Sequence, residues 1–149
     1  MKKIVSLLTM LLLLFGCQST KVLDIEYIGD YLSDQVEQNE CIRNNKVEHK
    51  EGYVFFRYYF YDDFSEDNKA YVISSTIEYL SQLEVENDIR EYYSAEYNDG
   101  ILDRKLPILV IEIYNETKNR PLYTYENILV YDAVEDGRMK YIYRGWSVN

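Results

Sequence analysis

The chain has 149 residues, with 26 acidic side chains, 16 lysines and arginines and one histidine, so its formal net charge at pH 7 is −10. This length supports one domain and not two. The negative charge disfavours nucleic acid, anionic lipid headgroups and phosphate-rich polymers, because like charges repel, and it is compatible with cationic partners.

Residues 1–16 have the layout of an export signal. Lys2 and Lys3 precede an apolar run over residues 4–15, and a small residue then stands directly before Cys17. As a helix this run spans roughly 18 Å, at about 1.5 Å per residue, which is shorter than the ~30 Å hydrocarbon core of a bilayer. The run is apolar on every face. A membrane-spanning helix and an amphipathic helix of a cytosolic protein are therefore both disfavoured.

The residues around Cys17 resemble the lipobox of bacterial lipoproteins. Gly16 lies immediately before the cysteine, and Leu14 lies three residues before it. Phe15 departs from the family pattern, in which a small or β-branched residue is commoner. The resemblance covers the signal peptide and the lipobox only.

The resemblance implies a membrane address for the whole chain. Residues 1–16 would be removed, and Cys17 would carry a diacylglycerol and usually a third acyl chain, such as palmitate. Residues 17–21 would then form a lipidated tether for a domain over residues 22–149. Gln18 stands where an Asp commonly retains Gram-negative lipoproteins at the inner membrane. It implies the periplasm-facing outer membrane, or the cell surface of a host with one membrane.

The two cysteines have separate roles in this interpretation. With Cys17 acylated, Cys41 is the only thiol left in an oxidising compartment. Two interpretations of Cys41 stay open, a small buried apolar residue and a partner in an intermolecular disulfide. Because no CxxC or Cys/His cluster exists, neither a metal site nor a cofactor is predicted.

The first elements of the domain are predicted from short apolar patterns. Alternating apolar residues predict a short strand over residues 23–27. Asp30 is the predicted cap of a helix that runs to about Ile42, with Leu32 and Val36 on its inner face.

The strongest strand pattern of the first half covers residues 53–61. One face of this strand would carry four apolar side chains, Val54, Phe56, Tyr58 and Phe60. The acidic segment 62–68 lacks the ligand spacing, the central Gly and the distal Glu of a calcium loop. It is predicted to be a solvated loop that caps the next helix.

Residues 69–83 fit two patterns. As a helix they form one apolar stripe, with Asp67 or Asn68 as the cap. The members of that stripe are Val72, Ile73, Thr76, Ile77, Leu80 and Leu83. As a strand they alternate and are rich in β-branched residues. The helix is favoured, because its stripe continues to Leu83.

The remainder of the chain is predicted to form strands. These are residues 89–97, the nearly all-apolar 106–114, 122–134 with a bulge near residues 126 and 127, and 138–148. The turn between the last two strands falls at residues 135–137. In the 106–114 strand, the most apolar face carries Leu109, Ile111 and Ile113.

This pattern predicts an α+β fold in a single small domain, an antiparallel β-meander packed on one or two helices. In its order of elements, a helix followed by a four-strand meander, it resembles cystatin-like and NTF2-like folds. No motif accompanies that resemblance, and fold alone does not imply function.

No catalytic set is predicted. His49 lies among charged neighbours, which is typical of a solvent-facing or structural histidine, and no serine has the Gly-x-Ser-x-Gly context. Glu112 interrupts the apolar strand, and a desolvated carboxylate there could act as a general acid. The alternative is that Glu112 meets solvent or a basic cross-strand neighbour.

The tyrosines supply a candidate ligand surface. Tyr53, Arg57, Tyr59 and Tyr61 are predicted to lie, with Phe55, on the second face of the 53–61 strand. If uncovered, these rings could stack on a sugar or a peptide. The alternative is that the tyrosines pack at the sheet margins with wet hydroxyls.

These patterns favour a lipid-anchored, non-enzymatic binding module of the envelope. The membrane would be its anchor, a basic envelope protein or a glycan its partner, and nucleic acid is excluded. The first alternative is an inhibitor or immunity protein against a cationic wall hydrolase or toxin, since complementary charge accelerates encounter. The second is an envelope hydrolase that uses Glu112.

Overall fold

The computed structural model describes residues 20–97, 106–115, 117–135 and 138–148. The predicted signal peptide, Cys17 and the end of the predicted turn at 135–137 lie outside the described residues. Within the described part, no helix is long and apolar enough to cross a bilayer.

The described residues form one six-stranded sheet and three helices. In chain order the elements are β1 (Lys21–Val22), α1 (Glu26–Gln38), β2 (Ile42–Lys50), β3 (Tyr53–Phe60), α2 (Glu66–Leu80), α3 (Leu83–Tyr97), β4 (Ile108–Asn115), β5 (Tyr123–Glu135) and β6 (Arg138–Val148). The strands lie in the sheet in that same order, from β1 at one edge to β6 at the other. The predicted α+β class is confirmed.

One pair of neighbouring strands is parallel. Strands β3 and β4 run in the same direction, with Tyr53 opposite Ile108 and Arg57 opposite Glu112, whereas the other neighbouring pairs are antiparallel. Parallel neighbours need a crossover connection, and here α2 and α3 supply it. The structure therefore adds a parallel pair and a third helix to the predicted meander.

The helices pack on one face of the sheet and form the hydrophobic core with it. The core-facing side chains of the two central strands are Val54, Phe56, Tyr58, Phe60, Leu109, Ile111 and Ile113. Both predicted apolar faces are thus confirmed. Each fully buried apolar side chain of this size contributes about 1.5–3 kcal/mol.

The N-terminal predictions need correction. The predicted strand over residues 23–27 is wrong, because α1 already begins at Glu26, and Asp30 lies inside the helix instead of capping it. The buried side chains of α1 are Ile28, Leu32 and Gln35, spaced by four and three residues as one helical face requires. This stripe overrides the short alternation that suggested a strand.

Strand β2 was absent from the prediction. It covers Ile42–Lys50 and begins where the predicted helix ended. Only three of its side chains are buried, so its sequence shows little periodicity. A tight hairpin joins β2 to β3 through Gly52, whose φ of 87° favours glycine.

The favoured helix over residues 69–83 is confirmed as α2, with different ends. Its N-cap is Ser65, not Asp67 or Asn68. The Ser65 hydroxyl accepts from the Asn68 backbone N–H at 3.1 Å, and the Asn68 side chain accepts from the Ser65 N–H at 3.2 Å. The helix stops at Leu80, and Leu83 begins the next helix with its side chain exposed.

The predicted strand over residues 89–97 is wrong. These residues belong to α3, whose buried side chains are Val85, Ile89 and Tyr93. Their spacing of four places them on one helical face. The alternate positions that suggested a strand, Ile89, Glu91, Tyr93, Ala95 and Tyr97, are distributed around this helix and do not share one face.

Candidate functional site

The sheet face opposite the helices, called here the outer face, holds most of the predicted ligand residues. Pairing register and burial place these side chains on it: Lys46, Glu48 and Lys50 from β2; Tyr53, Phe55, Arg57 and Tyr59 from β3; Val110, Glu112 and Tyr114 from β4. The strand predicted from sequence thus brings Tyr53, Arg57 and Tyr59 together. Tyr61 follows the end of β3, where its backbone N–H donates to the Cys41 carbonyl, and its side chain is exposed.

Arg57 is the centre of the outer face. Its Nε lies 2.5 Å from Glu112 Oε2, and its guanidinium also pairs with Glu48 on the opposite neighbouring strand. Burial would lower the pKa of this guanidinium, but hydrogen bonding to Glu112 and the Glu112 charge raise it above its usual value. One arginine therefore joins three adjacent strands, β2, β3 and β4.

Glu112 has the basic cross-strand neighbour that the sequence left open. Its carboxylate accepts from Arg57 and, at 2.9 Å, from the Tyr114 hydroxyl. Burial and the Glu112 charge raise the pKa of the Tyr114 hydroxyl, which therefore stays a donor. The carboxylate holds Arg57 and Tyr114 in place.

Two ring pairs flank this ionic centre. The rings of Tyr53 and Phe55 are stacked with centroids 5.7 Å apart, and those of Tyr59 and Tyr114 are stacked at 5.0 Å. The Lys50 Nζ lies 5.2 Å from both rings of the first pair. Such cation–π contacts hold cations against the ring surfaces. The result is a flat platform of aromatic rings with ammonium groups beside them.

The cations of this platform project farther than its carboxylates. The Lys46 side chain is 42% exposed, whereas the side chains of Glu48 and Glu112 are 13% and 12% exposed. Burial raises the pKa of the Glu48 carboxyl, but hydrogen bonding and charge from Lys46 and the Arg57 charge lower it overall. Solvent therefore meets lysine ammonium groups before it meets the carboxylates beneath them.

The helices are mostly acidic, whereas the first three strands are mostly basic. The three helix sequences contain twelve acidic side chains and two basic ones. The first three strands, by contrast, contain five basic side chains and one acidic. This separation was missed at the sequence level, because β2 and α3 were assigned incorrectly and the charge could be assessed only for the whole chain.

His49 is buried, so of the two roles expected from the sequence, solvent-facing and structural, the structure supports the structural one. Only 1% of it is exposed, on the helix side of β2. Its Nδ1 lies 2.8 Å from the Tyr97 hydroxyl, and its ring meets Tyr92 and Tyr97 edge-on. Burial lowers its pKa, despite the nearby Glu96 carboxylate. His49 is therefore a core residue and closed to a substrate.

Cys41 is half-buried and packs against the core. Burial raises the pKa of its thiol, which reduces the reactive thiolate. The proposed intermolecular disulfide stays a prediction. Among the described residues, no group of three or more His, Cys, Asp and Glu side chains could hold a metal ion.

Comparisons of this chain with protein-family models, with curated proteins and with solved structures found no match.

Proposed function

We propose that this protein is a lipid-anchored, non-enzymatic binding module of a bacterial envelope. Cys17 is its acylated anchor, and its acidic helices are the surface presented to a cationic envelope partner. The observation that supports this most directly is the separation of charge between the helix layer and the first three strands.

The helix layer has the properties that such a partner requires. Helix α1 contains four acidic residues and no basic one, and all four are exposed: Glu26, Asp30, Asp34 and Glu37. A soluble surface without a charged partner usually mixes both signs. A surface of one sign steers an oppositely charged protein and accelerates its association, with a steep dependence on salt.

The same charge favours a narrower candidate, an inhibitor or immunity protein against a cationic wall hydrolase or toxin. This candidate needs the acidic surface to cover the partner's basic active-site region. It differs from a module that only binds its partner in one measurable way, because binding must also suppress the partner's activity.

A hydrolase that uses Glu112 is supported less well. Its carboxylate is held by Arg57 and Tyr114. We expect Glu112→Gln to leave any activity of the purified protein unchanged. Turnover of a wall substrate that this variant abolishes would contradict the proposal of a non-enzymatic module.

The binding proposal is tested with residues 18–149 and a basic lysozyme-type wall hydrolase as the probe. We expect the association rate to fall at least about tenfold between low salt and about 0.3 M salt. Asp34→Asn with Glu37→Gln should slow association several-fold at low salt. Asp62→Asn with Asp63→Asn, an equal change of charge on an exposed loop, is the matched control and should have a smaller effect.

Two results would contradict the proposal. One is a pull-down at low ionic strength in which the protein binds no basic envelope protein. The other is an unlabelled chain that still begins at Met1 in the soluble fraction after growth on labelled palmitate. The first result would contradict the proposed cationic partner, and the second would contradict the proposed lipid anchor.

A further inference from the structure

We infer that the outer face lies against the anionic bilayer that holds the lipid anchor, so that the acidic helices point away from the membrane. This orientation rests on the proposed acylation of Cys17. It assigns the platform around Arg57 to a lipid surface, whereas the proposed protein partner belongs to the opposite side of the domain.

The first described residues after Cys17 lie beside the outer face. Strand β1 pairs Val22 with Glu48, an outer-face residue, and the Thr20 side chain is one of the hydrogen-bonding groups that lower the pKa of the Glu48 carboxyl. Cys17 precedes Thr20 by three residues, which span at most about 11 Å. The acyl chains proposed at Cys17 would therefore be attached within about 11 Å of Thr20, a residue beside this face.

The part of the outer face formed by β2 and β3 complements an anionic lipid surface, whereas Glu126 of β5 lies on the same face opposite Val110. Lys46 and Lys50 lie beside the projecting rings, while Glu48 and Glu112 are recessed and paired. Anionic lipids attract such lysines and repel the carboxylates of the helices. One helix diameter, about 10 Å, separates the two charges, which is close to the Debye length at physiological salt. The negative surface potential therefore acts more strongly on the layer nearer to the membrane. This difference favours the orientation in which the outer face lies against the lipid.

The side chains around this face suit the boundary between water and lipid. Tyr53 and Tyr59 are half-buried rings with polar ends, and lysines extend beside them on long apolar stems. Tyrosine and lysine are favoured at that boundary for these reasons. Val22, 70% exposed, adds an apolar side chain next to the tether.

Other occupants of this face fit less well. A second copy in a two-fold interface would bring the same lysine-bearing patch from both copies into one interface, where like charges repel. A cationic protein, which the helices suit, would meet ammonium groups here. The bilayer is the one occupant that the anchor itself brings to the face.

The experiment uses the full acylated chain, purified in detergent and reconstituted into vesicles. One set contains phosphatidylcholine alone, and the other contains about one third phosphatidylglycerol, which supplies the negative surface potential. Hydroxyl-radical labelling, read by mass spectrometry, reports the exposure of each tyrosine. Tyr53 and Tyr59 are the probes, and Tyr71, 51% exposed on α2, is the internal reference.

We expect labelling of Tyr53 and Tyr59 to fall at least about threefold in the anionic vesicles relative to the neutral ones, and labelling of Tyr71 to stay constant. Lys46→Gln with Lys50→Gln should abolish this protection. Ala70→Glu with Ala95→Glu makes an equal change of net charge at exposed helix positions and should preserve it.

Each of the following results would overturn the inference. Equal labelling of Tyr53 in both vesicle types, or stronger protection of Tyr71, excludes the proposed orientation. Protection in detergent that grows with protein concentration identifies a second copy, and protection in cells that is absent from vesicles identifies another partner. An unacylated Cys17 would overturn the anchor and the inference together, whereas an acylated, membrane-bound chain with unprotected tyrosines overturns only the orientation.

Discussion

Arg57 and Glu112 are 55 positions apart in the chain, yet they meet across the parallel strands β3 and β4. Neither residue can be understood alone. Without Glu112, the Arg57 guanidinium keeps its pair with Glu48 but loses one charge-assisted hydrogen bond, while its desolvation penalty stays.

We expect Glu112→Leu to lower the free energy of unfolding by about 2 kcal/mol, less than for a fully buried pair because both side chains keep some exposure. Arg57→Leu combined with Glu112→Leu should cost less than the sum of the two single changes. Urea unfolding of all four proteins measures this coupling. Additive losses would show that the pair does not act as a unit.

His49 is a second residue whose role depends on its surroundings. Its nearest charged and titratable neighbours are Lys21 on β1 and Tyr92, Glu96 and Tyr97 on α3. Lys21 and Glu96 form an ion pair with each other. The ring is thus enclosed on the side of β1 and on the side of α3.

The lowered pKa of His49 makes stability depend on pH. Its usual value is 6.5, and burial holds the folded value below that. Between these two values the unfolded chain binds a proton that the folded chain does not, so stability is full above about pH 6.5 and falls as pH decreases, by at most about 1.4 kcal/mol per pH unit. Below the folded pKa this loss stops growing.

Urea unfolding at a series of pH values checks this expectation against His49→Gln. The variant should be less stable at neutral pH, because it loses ring contacts, but its stability should change less between about pH 7.5 and about pH 5.5. Parallel curves for the two proteins would assign the pH dependence to carboxylates instead.

At the scale of elements, a side-chain cap explains where helix α2 begins. Helix α2 starts at a capping box, and a Ser/Asn pair three residues apart is a local signal that sequence analysis can find. The prediction instead placed the cap two or three residues later, on Asp67 or Asn68. The apolar stripe was correct, and the boundary was wrong.

Ser65→Ala is expected to lower the free energy of unfolding by about 1 kcal/mol, because the Asn68 N–H loses its acceptor. Ser74→Ala is the matched control. The Ser74 hydroxyl is exposed within α2 and donates to the Tyr71 carbonyl, so its removal should change stability little or raise it slightly. Similar effects of the two changes on the melting temperature would contradict the role of the cap.

Helix α3 shows the limit of periodicity. The segment fits a period of two through Ile89, Tyr93 and Tyr97 with Glu91 and Ala95 between them, and it fits a period of four through Val85, Ile89 and Tyr93. A short window cannot separate these patterns. The parallel pairing of β3 and β4 resolves the ambiguity, because parallel neighbours need a crossover of a dozen or more residues.

At the scale of the whole molecule, charge is divided between two layers. Twelve acidic side chains on three adjacent helices repel one another, and two basic ones compensate little. This repulsion destabilises the compact state and is screened by salt.

We expect the protein to become more stable as salt is raised from about 0.02 M to about 0.5 M. Asp34→Asn with Glu37→Gln should raise the free energy of unfolding by several tenths of a kcal/mol at low salt, since it relieves repulsion at α1. The gain should disappear at high salt, which serves as the internal control. A gain that salt does not change would point to helix propensity instead of charge.

Local patterns in the sequence determined the central strands, the apolar faces of β3 and β4, the favoured helix α2 and the α+β class. They also supply the whole case for an acylated Cys17, which stays a prediction. These features depend on neighbouring residues and on the periods of two and of three to four, which a single sequence contains.

Only the tertiary structure decided the ion pair of Arg57, the burial of His49, the existence of β2 and the separation of charge. Each depends on which segments become neighbours across the sheet, and that choice is made by the pairing of distant strands. The net charge of −10 is a sum over the whole chain and does not show where the charges lie. The structure shows that most of this charge belongs to the helices, which lie on one face of the sheet, whereas the basic strand β2 pairs with β1.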